Sequence, residues 1–165
     1  MEKIVVYYSM SENTDHVAKR IAEETGADLL RIYPVKAYPD KGFQKFYRCG
    51  KSAVMAEKPK LLPYDADLGR YETVVFGTPV WASSPAPPLR SFIRDNREAL
   101  KGKKFAAYAC YAGSGADKAI MKLKKLLGVK EMIAEASFLD PKERQDSEES
   151  ILSFCRQLKE SGKAE

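Results

Sequence analysis

Apolar residues fall along this chain in short uninterrupted runs, separated by longer amphipathic stretches. Ile4-Val5-Val6-Tyr7-Tyr8 dominates a run over 3–8 that suits a strand buried on both faces. From Asn13 the spacing turns helical, with Val17 and Ile21 four apart beside Ala18 and Ala22, and Gly26 placed as a C′ stop. The alternation then repeats. Strands are expected over 28–33 (stopped by Pro34), 73–76, 104–110 and 131–138. Helices are expected after Pro85-Ala86-Pro87-Pro88 with Leu89, Phe92 and Ile93 on one face, over 116–127, and from about Ser147 with Ile151, Leu152, Cys155 and Leu158 inward. Residues 35–70 are the least regular, with a turn at 38–42, a helix over 43–58 and a loop bounded by Pro59 and Pro63. Five strands alternating with helices, joined by right-handed crossovers, predict an α/β fold: a three-layer, doubly wound, five-stranded parallel sheet.

Composition narrows the class. A chain of 165 residues without repeat or linker is expected to form a single domain over 1–165. With 44% hydrophobic and 31% charged residues it is globular rather than disordered. No apolar run approaches the roughly 20 residues that span a bilayer, and the N-terminal run has no signal-peptide pattern, so a cytoplasmic protein without membrane contact is expected. Cys49, Cys110 and Cys155 form neither a CxxC pair nor a zinc set and read as reduced structural thiols; no metal is expected. The net charge of +5 comes with no nucleic-acid motif, and the lysines are interrupted by apolar residues, as on a solvated surface.

The unusual chemistry lies at three strand ends: 9–14, 77–84 and 110–115. In a doubly wound sheet the ligand sits beyond the carboxyl ends of the strands. At the first end Ser9, Ser11, Asn13 and Thr14 crowd the start of a helix whose free N–H groups carry a partial positive charge. Together they form a cup of neutral donors for a phosphate, where an ordinary N-cap needs only one such residue. No GxxxxGK[ST] is present, and Gly113-Ser114-Gly115 is followed by Lys118 where a dinucleotide fingerprint has its third glycine. A cation-free cup suits an anchored monophosphate on a larger molecule. The second end places Trp81 just past a strand on a loop stiffened by Pro79, where a planar ligand can stack. The third, Tyr111-Ala112-Gly113-Ser114-Gly115, lets backbone approach a flat ligand.

These segments resemble flavodoxin over nearly the whole chain. "SMSENT" is similar to the family's phosphate loop, [ST]-x-[ST]-G-N-T; "GTPVWASSPAPPLRSF" resembles a second loop of GxPxW type, and "CYAGSG" the third. The resemblance implies FMN as prosthetic group, a sheet of order 2-1-3-4-5, and one- or two-electron transfer. By position, Ser9, Ser11, Asn13 and Thr14 would hold the phosphate, with Glu12 in the same cofactor-binding loop and its carboxylate pointing away from the anion. Thr78, Pro79, Val80, Trp81 and Ala82 would flank the isoalloxazine, and Tyr111, Ala112, Gly113 and Ser114 would border its pyrimidine edge. Two departures stand out. Glu12 occupies the place of the family's glycine, and the chain is basic where electron-shuttling flavodoxins are acidic, so it would need acidic partners or none.

The leading expectation is an FMN-binding electron-transfer protein without catalytic side chains of its own. Few carboxylates (Glu12, Asp117) stand near the flavin, which implies a less reducing final couple than in an acidic flavodoxin. The rival on the same scaffold is an NAD(P)H-dependent FMN oxidoreductase acting on quinones or nitro compounds. For it Phe43, Phe46, Tyr47 and Tyr64 would build a substrate wall or a dimer contact, unless they simply pack. A signalling receiver lacks its acidic residues, since Ser9 and Gly77-Thr78 occupy those places. A serine hydrolase finds only a loose nucleophile elbow at 112–116 and one histidine, His16, in the first helix.

Overall fold

The computed structural model describes residues 2–163. Strand β1 (Lys3–Tyr7) alternates its side chains between two cores, as a strand's period of two requires. Ile4 and Val6 join one core with Val74, Phe76, Leu89, Phe92 and Leu123. Val5 and Tyr7 join the other with Val17, Ile21, Tyr108, Phe154 and Leu158. Helices α1 (Asn13–Thr25) and α6 (Ser147–Glu160) cover the second core, and α3 (Pro87–Asp95) and α5 (Ala116–Leu127) cover the first. The result is the expected three-layer sandwich.

The parallel strands run β2 (Asp28–Arg31), β1, β3 (Thr73–Trp81), β5 (Lys104–Tyr111), β6 (Ala134–Leu139). This is the order 2-1-3-4-5 once the interposed two-residue strand β4 (Ser84–Pro85), antiparallel to β3, is set aside. Helix α5 occupies 116–127 as its pattern predicts, and Pro87 opens α3 at the position where a missing N–H costs nothing. Short α4 (Arg97–Leu100) completes the set with α2 (Gly42–Val54).

Several boundaries differ from the sequence pattern. β3 does not close at Phe76 but continues to Trp81, paired with β5 as far as Pro79 opposite Cys110. β1 pairs only as far as Gly77, so beyond that point one side of β3 is open and a proline is tolerated. β2 stops at Arg31, and Pro34 instead bridges to Leu61. β6 begins at Ala134 rather than 131. Helix α2 ends at Val54, four residues early, because Ala56 turns to a positive φ of 51°.

Candidate functional site

The first loop is built on a helix start that lacks a side-chain cap. Glu12 takes the N-cap position of α1 with φ 69°, the left-handed conformation that a glycine would adopt freely. Ser9 Oγ accepts the Asp15 N–H at 3.1 Å, so this hydroxyl supports the helix start from within. Tyr108 donates to the Thr14 carbonyl at 2.8 Å from beneath, and Thr14 itself is buried. Asn13 Oδ1 accepts the Lys142 N–H at 3.0 Å, tying the loop to the segment after β6. The backbone N–H groups of residues 10–14 find no acceptor among the described residues. Five adjacent free amides exceed what a helix end leaves by default at one point.

Arg31, at the end of β2, locks this loop. Its guanidinium donates to Glu12 Oε1 at 3.0 Å and to the Ser9 carbonyl at 3.1 Å, and stands 3.4 Å from Asp15 Oδ1. Tyr7 donates to the same Asp15 oxygen at 2.6 Å, and Lys19 reaches the other at 2.7 Å. Burial alone would push the Asp15 carboxyl up; the bonds from Lys19 and Tyr7, with the charges of Lys19 and Arg31, reverse this and hold it below its usual range. The Glu12 carboxylate is thereby neutralised from the side of β2.

The second loop is a tight hairpin. Trp81 pairs with Ser84 across Ala82 and Ser83, both with positive φ (49° and 56°), as a two-residue hairpin turn demands. Thr78 Oγ1 accepts the Ala86 N–H at 2.9 Å and donates to the Pro79 carbonyl, so Thr78 folds the hairpin back from a fully buried position. Trp81 lies not just past the strand, as the sequence pattern implied, but at the end of β3 itself. Its ring meets Tyr8 and Tyr38 edge-on, with centroids 5.6 and 5.1 Å away. The third loop nestles against this turn: a Cβ on Gly115 would lie 2.5 Å from Ser83 Oγ and 2.9 Å from Ser83 Cα.

Between these loops lies a cleft of about 390 Å³. Of the residues singled out in the sequence, it gathers Ser11 and Asn13 from the first loop, Pro79 to Ala82 from the second, and Tyr111 and Ala112 from the third. Ser9, Glu12, Thr14 and Thr78 stand behind it. Gly113 and Ser114 line a separate hollow with Ser83 and Asp117. Residues of α2 form a further wall: Phe46, one of the aromatics considered for a substrate wall, with Lys45, Cys49 and Gly50, which local pattern did not mark. Met10, Cys110 and Asp140 complete the lining, so Asp140 rather than Asp117 is the carboxylate here, and Lys45 the cation. Burial pushes the Cys110 thiol up to about 12 and raises Cys49 as well; both stay protonated thiols rather than nucleophiles. All three cysteines are free and buried. Among the described residues no cluster of side chains could hold a metal ion, and no helix is long and apolar enough to cross a membrane.

The flavodoxin family model matches residues 2–147. The chain belongs to the flavodoxin family. Similar solved structures include a flavoprotein from Lactobacillus acidophilus NCFM in complex with FMN (18% identity, 86% of this chain and 95% of that one, TM-score 0.72). A candidate flavoprotein from Bacteroides eggerthii DSM 20697 matches at 22% identity over 92% and 94% of the two chains, TM-score 0.74. The two-electron reduced flavodoxin of Megasphaera elsdenii matches at 18% over 94% of each, TM-score 0.59. At these identities the neighbours report the fold.

The residues of this flavodoxin also fit the flavin that the family carries. Free amides at 10–14 offer a phosphate an acceptor-hungry cup, and the apolar cleft beside them is walled by Trp81. Glu12, behind the cleft, and Asp140, in its lining, both take a positive φ (69° and 39°) without a hairpin turn to demand it. Such backbone strain, about 1–3 kcal/mol per residue, persists where a site is shaped for a ligand.

Proposed function

We propose that this flavodoxin binds FMN in the cleft and acts in electron transfer. The carrying observation is the run of five amides without acceptors among the described residues, beside a largely apolar cleft whose lining includes an indole. When bound, FMN supplies one- and two-electron redox chemistry. The N–H groups of 10–14, with Ser11 and Asn13, hold the phosphate. Arg31 keeps the Glu12 carboxylate turned to β2 and away from that anion. Trp81 braces the ring and is itself braced by Tyr8 and Tyr38. Lys45 and Asp140 place one cation and one carboxylate at the rim, so a final couple less reducing than that of an acidic flavodoxin is expected in a redox titration.

The test is the visible spectrum of the purified chain during titration with FMN and with riboflavin. A yellow complex is expected, with Ser11→Ala/Asn13→Ala weakening FMN far more than riboflavin, which lacks the phosphate. A chain that stays colourless through dialysis against FMN defeats the proposal. A second reading, direct reduction by NADH or NADPH, draws on an open groove of about 940 Å³ beside α2 lined by Lys36, Arg48, Lys58 and Lys60. Steady-state oxidation of NADPH with a quinone acceptor separates the two readings, because a carrier shows almost none.

A further inference from the structure

Residues 35–60 hold seven cations (Lys36, Lys41, Lys45, Arg48, Lys51, Lys58, Lys60) against two carboxylates, Asp40 and Glu57. The whole formal charge of +5 therefore resides in this segment, and the rest of the molecule balances. Arg48 is paired with Glu57 at 3.4 Å, whereas none of the six lysines has a carboxylate partner among the described residues. Lys45 and Lys51 instead lie over the rings of Phe46 and Tyr47, at 5.9 Å from each centroid.

Helix α2 is apolar on the outside as well as the inside. Cys49, Ser52 and Ala53 face the core. On the opposite side Phe43, Tyr47, Gly50 and Val54 recur at the i, i+4, i+7, i+11 spacing of one helical stripe, with Phe46 beside it. Phe43, Phe46 and Tyr47 are 81%, 75% and 60% exposed, and the rings of Phe43 and Tyr47 stack at 6.2 Å. Three exposed aromatics on one helix exceed the scattered apolar residues of an ordinary surface. Gly50 of this stripe, with Phe46 beside it and Lys45 of the same helix, also lines the cleft, so whatever covers α2 abuts the proposed flavin site.

We propose that the outer face of α2 is the docking surface for an acidic electron-carrier protein, which presents carboxylates to the lysine rim and apolar surface to Phe43, Phe46 and Tyr47. The proposal rests on the FMN reading for its purpose but not for its geometry. An aromatic centre within a charged rim is the anatomy of a protein interface. The stripe runs along a 13-residue helix, about 20 Å in length, and its Phe43 stands outside the lining of both neighbouring hollows, where a small ligand would lie. Charge complementarity then decides the sign of the partner. Unpaired lysines steer an acidic protein toward the cleft and repel a basic one.

The probe is an oxidised plant-type [2Fe–2S] ferredoxin, an acidic one-electron carrier, titrated calorimetrically against the FMN-loaded and the FMN-free chain. A complex is expected with both, weakening steeply as ionic strength rises. The charge reversal Lys36→Glu/Lys41→Glu/Lys51→Glu, which leaves the cleft lining untouched, is expected to weaken it at least about tenfold while FMN affinity holds. Phe43→Ala is expected to weaken it at salt concentrations that screen the charges. A basic c-type cytochrome is expected not to bind. Loss of FMN binding with ferredoxin docking intact would sink the flavin reading alone. The docking proposal is overturned by no complex at low salt, by binding indifferent to charge reversal, by NADPH occupying the face in place of protein, or by a dimer of this chain that buries α2.

Discussion

Gly77 and Tyr108 share one space: a Cβ built on Gly77 would lie 2.3 Å from the Tyr108 ring and its hydroxyl. The missing side chain lets that fully buried ring cross to the Thr14 carbonyl, to which it donates at 2.8 Å. A glycine in the central strand thus supports the first loop from below. Gly77→Ala is expected to cost at least about 1–3 kcal/mol through overpacking. Tyr108→Phe should cost about 0.5–1.5 kcal/mol through loss of this one hydrogen bond, since the Thr14 carbonyl stays within the helix. Urea unfolding measures both, and Tyr108→Phe should lower FMN affinity more than riboflavin affinity.

Glu12 and Arg31 make opposed contributions. The left-handed backbone at Glu12 costs about 1–2 kcal/mol, and the part-exposed ion pair returns less than about 1 kcal/mol. Glu12→Gly is therefore expected to leave stability within about 1 kcal/mol of the native protein. Removing the carboxylate should tighten FMN roughly fivefold, corresponding to about 1 kcal/mol of charge repulsion, with riboflavin unchanged. Arg31→Met should do the reverse, since Glu12 and Asp15 lose their counter-charge. Fluorescence titration with the two flavins reads the difference.

Asp15 sets an acid limit. Its folded carboxyl titrates below the ordinary 3.8, so the chain gains stability from it above that pH and loses it as pH falls through the lower folded value. At neutral pH Asp15→Asn should cost about 1–3 kcal/mol, the worth of hydrogen bonds to a buried charged group. The gap between native and variant should narrow only below pH 3.8, as followed by denaturant midpoints across an acid series.

Gly50 sits inside α2, yet a Cβ there would meet nothing within 4 Å. No packing requires glycine, which weakens a helix interior by about 0.5–1 kcal/mol relative to alanine. Gly50→Ala is expected to stabilise the flavin-free chain by that amount, read as a raised urea midpoint. Because Gly50 lines the cleft, the added methyl should also reduce FMN affinity severalfold.

Local pattern was enough for the parallel strands, the helices at 13–25, 116–127 and from 147, and the three loops at strand ends. Each is a property of neighbouring residues: an apolar run, a period near 3.6, a proline or glycine at a boundary. The sheet order came with the family resemblance. The failures are of a different kind. β3 runs on to Trp81 because β5 pairs with it as far as Pro79 and β4 pairs with Val80 and Trp81, and pairing is not written in a strand's own sequence. Thr78 and Ser9 read from composition as ligand donors, and only the fold shows that Thr78 Oγ1 also accepts the Ala86 N–H and Ser9 Oγ the Asp15 N–H.

Sequence by itself determined that a doubly wound sheet would carry a polar loop rich in hydroxyl and amide side chains after its first strand and an indole at the end of its third, since burial and turn chemistry act over a few residues. Only tertiary structure decided that Arg31, at the end of a different strand, would neutralise Glu12, and that Asp140 would reach the cleft while Asp117 would not. It also decided that α2 would turn Cys49 inward and leave Phe43 and Tyr47 to solvent. The physical reason is range. Propensity and capping are settled between neighbours, whereas charge pairing and burial depend on surfaces that meet after the chain has closed on itself.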